Sequence, residues 1–241
     1  GVARGGRRTV FLPAGWWPRW GIGFWTDSAD GNDPSVRDGG GLDLWHLDAP
    51  RRVPQLLGTT LTDRALSPIT ASADGQLAIT TEPGRSGAEP LWQNEVVERC
   101  DPASQRCRPL PPPPGSVSID PAWSPDGSTL VYLVGRNLGS AGEAGFSQPA
   151  VTRFYDTLEL RRYDRATASS TTVTSARGAV VPVWSRTDGS LLFVADDGLW
   201  LWRVGGGDPV EIAGPIFELG NWHAFFAQID WSDQFAWSRS G

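Results

Sequence analysis

Lysine and methionine are both missing from this chain of 241 residues, so every one of its 21 side-chain cations besides histidine is an arginine. Long apolar runs are missing too. None approaches the roughly 18 residues that a membrane-spanning helix needs, so no span is expected. No block of five or six like charges occurs, which leaves out a charged interaction tail. The net charge is -6 and the pI about 4.9. Such a surface repels phosphate backbones, and nucleic acid is not an expected partner. A 3.6-residue apolar period is not sustained over any long window, which argues against long amphipathic helices. The first residue is Gly1 and no signal-type apolar segment follows it. That implies a processed or excised piece whose targeting segment is already gone.

What is abundant points to one architecture. The chain holds 29 glycines, 20 prolines and 13 tryptophans, which suits short strands and frequent turns. Its length fits one domain of the larger all-β kind and can bury a sizeable core without staples. An internal repeat is present. IDPAWSPDGSTLVYLV (119–134) returns as VVPVWSRTDGSLLFVAD (180–196), and more weakly as SPITASADGQLAITT (67–81). Degenerate copies occupy 14–27 and 227–240. Each reads as a strand, a tight turn and a second strand rich in aromatic and β-branched residues. The pairs Asp74-Gly75, Asp126-Gly127 and Asp188-Gly189 supply the positive φ that hairpin turns require. Third strands follow at 42–48, 95–101, 157–164 and 198–204, and fourth strands at 53–58, 106–110, 170–175 and 209–214. Repeat spacing of roughly 45 to 60 residues matches propeller blades with insertions.

The Trp123-Ser124-Pro125-Asp126-Gly127 run, followed by a strand and then one ending in Tyr163-Asp164, resembles the β-propeller repeats of TolB and related bacterial proteins. The resemblance implies an all-β β-propeller of about five four-stranded blades, 14–58, 67–112, 119–175, 180–214 and 227–241. Residues 7–13 would complete the last blade, so that N- and C-terminal strands close the ring and remove its exposed edges. Six blades, or an incomplete ring from a longer protein, are the other counts. The same repeat serves scaffolds, sensors and the non-catalytic halves of peptidases, so it implies fold more than function.

Three connections between second and third strands are long: 27–41, 82–93 and 135–155. In a propeller these gather on one face, and long loops are usually functional. Trp92, Phe146, Phe154 and Tyr155 are the candidate binding anchors there. The alternative is that these aromatics fold back on the blades. Asp27, Asp30 and Asp33 lie around a glycine turn and are candidate calcium ligands, although the spacing is not that of an EF-hand. Turn chemistry alone also explains them.

Cys100 and Cys107 flank a predicted turn, DPASQR, between two strands, close enough to pair as a disulfide. Two free thiols are the alternative. A zinc site would need two more ligands, and only His46 and His223 are available. A bridge implies an oxidising, extracytoplasmic compartment. Neither histidine has a catalytic context: His46 lies in a strand and His223 between aromatics. Ser86 lacks a nucleophile elbow. Trp17, Trp123, Trp184 and Trp231 recur at one repeat position and read as blade-to-blade packing. The first functional reading is a monomeric, non-catalytic exported module that binds a protein or cell-envelope component through the long-loop face. A carbohydrate-active enzyme on a five-bladed scaffold, and a propeller severed from a larger peptidase, are the alternatives.

Overall fold

The computed structural model describes residues 70–80, 95–101, 106–137, 153–174, 183–185 and 187–216 with their side chains, and also Ser104, Gly178 and Trp237. For the earlier strands, Thr81 and 180–182, it describes the backbone course. Two short strands, β1 (Ala3–Arg4) and β2 (Arg7–Arg8), pair with each other. Then come β3 (Phe11–Trp17), β4 (Gly21–Asp27), β5 (Leu42–Leu47) and β6 (Pro54–Thr59). A second set is β7 (Thr70–Ala71), β8 (Leu77–Thr81), β9 (Val96–Asp101) and β10 (Arg106–Leu110). The third is β11 (Ser116–Trp123), β12 (Thr129–Arg136), β13 (Glu159–Asp164) and β14 (Ser169–Thr174). The fourth is β15 (Val180–Trp184), β16 (Ser190–Ala195), β17 (Gly198–Arg203) and β18 (Val210–Ala213).

Each set forms a four-stranded antiparallel meander, so the described residues hold four blades of the expected kind. The fifth expected blade, 227–241, lies outside the described residues except for Trp237. One boundary moves. Phe11, Leu12 and Pro13 pair with Thr26, Trp25 and Phe24 inside the first sheet, and Arg7–Arg8 turn back on Ala3–Arg4. Arg7–Arg8 and Phe11–Pro13 thus take part in two separate pairings, and Phe11–Trp17 form the edge strand of the first sheet.

Burial follows position within a blade. The second strands β12 and β16 are buried almost from end to end, and β12 lies between the second and fourth sheets. Alternate β12 residues serve different neighbours, as the two-residue period requires. Val131 and Leu133 join Phe154, Leu160, Leu191 and Phe193 between the third and fourth sheets. Leu130, Tyr132 and Val134 join Ala78, Val97, Trp123 and Tyr163 between the second and third. Each such side chain contributes about 1.5–3 kcal/mol of transfer free energy. The outer strand β18 has no buried residue, and Val210 and Ile212 are exposed there.

The repeated Trp-Ser-x-Asp-Gly run is explained by two devices. Ser124 Oγ donates to Asp126 (2.6 Å) while its main-chain N–H donates to Thr129 O (2.8 Å). Ser72 and Ser185 make the corresponding main-chain bonds to Gln76 and Ser190. Gly75, Gly127 and Gly189 supply the left-handed φ of 88°, 71° and 67° that closes each turn. The tryptophans staple neighbouring blades. Trp184 Nε1 donates to Ala122 O at 3.0 Å, and Trp237 Nε1 donates to Val183 O at 3.2 Å. Each acceptor is the residue just before the preceding repeat's tryptophan. Trp237 makes this bond, and Trp231 lies outside the described residues.

Candidate functional site at the inner bulge of the third blade

The site sits where two long connections enter and leave the sheets. Between β8 and β9 the chain runs from Thr81 to Val96, and between β12 and β13 from Arg136 to Glu159. The fourth sheet makes the same connection in two residues. Asp196 and Asp197, with φ of 47° and 62°, form the type I′ turn between Ala195 and Gly198. A blade therefore needs only two residues at this point.

The longer connection of the third blade returns through a helical turn, Arg153–Tyr155. Thr157 N–H and Leu158 N–H donate to Phe154 O (3.0 Å) and Tyr155 O (2.9 Å), and Arg136 N–H donates to Thr157 Oγ1 at 2.9 Å. Phe154 and Tyr155 meet edge to face, 5.7 Å apart. They are 0% and 6% exposed and belong to the core between the third and fourth sheets. That corrects their expected placement as loop-face anchors: Phe154 is already covered and has no surface to offer a partner. The fold-back alternative holds for this pair. Trp92, Phe146, Asp30, Asp33, Ser86 and His223 lie outside the described residues, and Asp27 and His46 are described only as backbone in β4 and β5.

A residue the sequence reading passed over lies between these two connections. Strand β11 slips register between Ile119 and Ala122, and Asp120 occupies that bulge. Its φ is 49°, in the left-handed region, immediately before Pro121. Left-handed backbone costs an L-residue roughly 1–2 kcal/mol, and a following proline favours extended backbone instead. Asp120 N–H donates to Thr80 Oγ1 of β8 (3.2 Å), so the bulge is anchored to the second blade. On the other side lies Tyr155, whose phenol is pushed up by burial and then by the charge on Asp120. Asp120 is half-buried as a residue, and desolvation raises the pKa of its carboxyl to about 6. The sequence signal was present: three residues before the repeat tryptophan, or its Ala71 counterpart, stand Pro68, Asp120 and Val181, and only one is charged.

The cysteines behave as one of the two readings required. Cys100 and Cys107 are register partners across β9 and β10 and form a disulfide, with Cα atoms 4.0 Å apart. Glu98 stands on the same face of β9, within reach of both sulfurs. No helix among the described residues is long and apolar enough to cross a membrane.

No family model matches the chain. No curated protein matches it in sequence either. Solved structures do. It is similar to an oligogalacturonate lyase in complex with manganese, with a TM-score of 0.55 and 13% identity over 80% of this chain and 50% of that one. It is also similar to a prolyl endopeptidase, with a TM-score of 0.50 and 15% identity over 85% of this chain and 28% of that one. Neighbours further include a protein described as TolB from Agrobacterium tumefaciens, at a TM-score of 0.49 and 17% identity over 79% of this chain and 61% of that one. This chain spans less than two thirds of each. At these identities the likeness establishes the β-propeller fold.

Proposed function

We propose that the chain is an extracytoplasmic binding module that engages a protein or cell-envelope partner through the face carrying the second-to-third-strand connections, without chemistry of its own. The observation that carries this reading is the length of two such connections, Thr81 to Val96 and Arg136 to Glu159, set against the two-residue turn that suffices at Asp196 and Asp197. The carboxyl of Asp120, its pKa raised by burial, is the kind of titratable group found at functional sites. The Cys100–Cys107 bridge supports an oxidising compartment. The enzyme and peptidase-propeller readings share this fold and are compatible with it.

The test replaces 138–152 by a short Gly/Ser linker and keeps 153–158, whose aromatics belong to the core. Both forms are used to capture partners, with crosslinking, from an extract of the source organism. Loss of a specific partner from the variant is expected. Capture of the same partners by both forms would remove the loop-face reading.

A further inference from the structure

We propose that Arg99 and Arg108, with Arg165 beside them, form a binding site for a dianionic phosphate group where the edge strand of the second blade meets the third blade. The site is independent of the loop-face reading. Asp74 lies in the β7–β8 turn and Arg165 directly follows β13, so this cluster stands at the ends of the sheets away from the two long connections.

Two arginines on neighbouring strands face each other here. Arg108 of the edge strand β10 and Arg99 of β9 are register partners, so their side chains leave the same face of the sheet. Arg99 extends over the Tyr163 ring of β13, 4.3 Å from its centroid, which identifies that face as the one turned toward the third blade. Arg165 approaches from the third blade and lies 2.7 Å from Asp74. Burial lowers the pKa of Arg99, and after the opposing influence of Tyr163 the charges of Arg108 and Arg165 lower it further. Three guanidiniums thus act on one another, and Asp74 answers only Arg165.

Like charges directly opposite across two strands are destabilising, and the fold does not ask for them. In the third sheet the corresponding strands pair Arg161 with Thr172 and Arg162 with Thr171, and in the fourth Trp200 with Glu211. Among the described residues neither Arg99 nor Arg108 has an acidic partner, and Arg99 Nε is buried without an acceptor. The Tyr163 ring offsets part of the desolvation of Arg99 through cation–π attraction. It offers no oxygen in the plane of the guanidinium, where the N–H groups point.

The donors choose the ligand. A guanidinium presents a rigid fork of N–H groups that matches carboxylate and phosphate oxygens. Two forks on neighbouring strands bring two uncompensated charges. A phosphate monoester near neutral pH carries about that charge on three acceptor oxygens, whereas a carboxylate carries half of it. Arg108 is exposed and Arg99 half-buried, so the pair is reached from solvent. The net charge of -6 opposes a polyanion, whose many phosphates meet the acidic surface, but a single phosphate answers to the local field.

The probe is glycerol 1-phosphate, titrated into the full chain at pH 7.5 and low salt, with the arginine Nε–H resonances as the readout. Acetate and inorganic phosphate are titrated in parallel. A saturable shift of the Arg99 resonance is expected, with an affinity at least tenfold above that for acetate. Arg108→Gln should weaken phosphate binding at least tenfold. The replaced side chain is exposed on an edge strand and its loss relieves repulsion, so the variant is expected to fold even if Arg99→Gln does not. Binding should also weaken severalfold at pH 5, below the second pKa of about 6 at which the ester loses its second charge. Inorganic phosphate bound as tightly as the ester supports a free phosphate ligand, and weaker binding supports a phosphate carried on a larger molecule; both sustain the site. Shifts that never saturate, acetate binding as tight as phosphate, or an unchanged affinity in Arg108→Gln would overturn the proposal.

Discussion

The third blade meets its two neighbours in different ways. Toward the fourth blade the contact is apolar and stapled: Phe154, Leu158, Leu160, Leu191 and Phe193 are essentially inaccessible, and Trp184 donates its indole N–H to Ala122 O. Toward the second blade the corresponding indole, Trp123 Nε1, is buried without an acceptor. Polar ties stand in for the staple there. Ser118 Oγ accepts from Val97 N–H, Thr70 Oγ1 accepts from Trp123 N–H, and Arg165 pairs with Asp74. Asp120 belongs to this second interface. One contact is packed for stability, and the other keeps polar groups whose ties are adjustable, which is where a binding site is best accommodated.

The sharpest way to break the contrast is Phe154→Ala. The ring packs beside Leu158 and against Gly135, where an added Cβ would lie 3.0 Å from Phe154 and 2.9 Å from Leu158. Truncation leaves a cavity the sheets cannot close, and a loss of about 3–5 kcal/mol is expected in denaturant unfolding. A loss under about 1 kcal/mol would mean that the connection is an appendage and the apolar interface is less continuous than described. The staple gives the next effect. Trp184→Phe strands Ala122 O, whereas Trp123→Phe removes a donor that has no acceptor. The first should cost about 1–3 kcal/mol more than the second, beyond the volume loss common to both.

Much of this contrast could be read from residues, and part could not. The hairpins were legible because Asp-Gly at 74, 126 and 188 fixes its own turn, and the disulfide because two strands and a turn leave Cys100 facing Cys107. The interface role of Trp123 and Trp184 followed from their repetition. Which aromatics of a long connection face inward did not follow, because Phe154 and Tyr155 carry no period that a turn could reveal. Asp120 was overlooked because an aspartate beside a proline reads as ordinary turn chemistry. Its significance comes from a register slip in β11, a tertiary event. The bond from Trp237 to Val183 O was not legible either, because Trp231 and Trp237 both stand before a serine.

Asp120→Asn probes the polar interface from its strained side. The pKa of Asp120 is raised from 3.8 to about 6, so the folded state holds its proton more tightly than the unfolded one. Stability therefore rises as pH falls from 6 toward 4, and above pH 6 the ionised carboxylate is a standing penalty. Asparagine lacks that charge and tolerates left-handed backbone. The variant is expected to be about 1–2 kcal/mol more stable at pH 7.5, a figure reduced for partial solvent access, and to lose the advantage by pH 4. Equal stability at both pH values would show that the carboxylate is not desolvated.

Arg165→Ala examines the same interface at its rim and should have the smallest effect. Arg165 Nη2 lies 2.7 Å from Asp74 Oδ2, but the two side chains are 34% and 50% exposed. The arginine's hydrogen bond is the largest influence holding the Asp74 pKa at about 2. A depressed carboxylate contributes stability above its unfolded value of 3.8, and that contribution disappears as pH falls through 2. Solvent screening limits it to roughly 0.2–1 kcal/mol at neutral pH, and less in high salt. The loss should be measurable at low salt and vanish in 1 M salt, with the screening length there only about 3 Å. A larger, salt-insensitive loss would mean that this ion pair, and not the buried Trp123 surface, holds the second and third blades together.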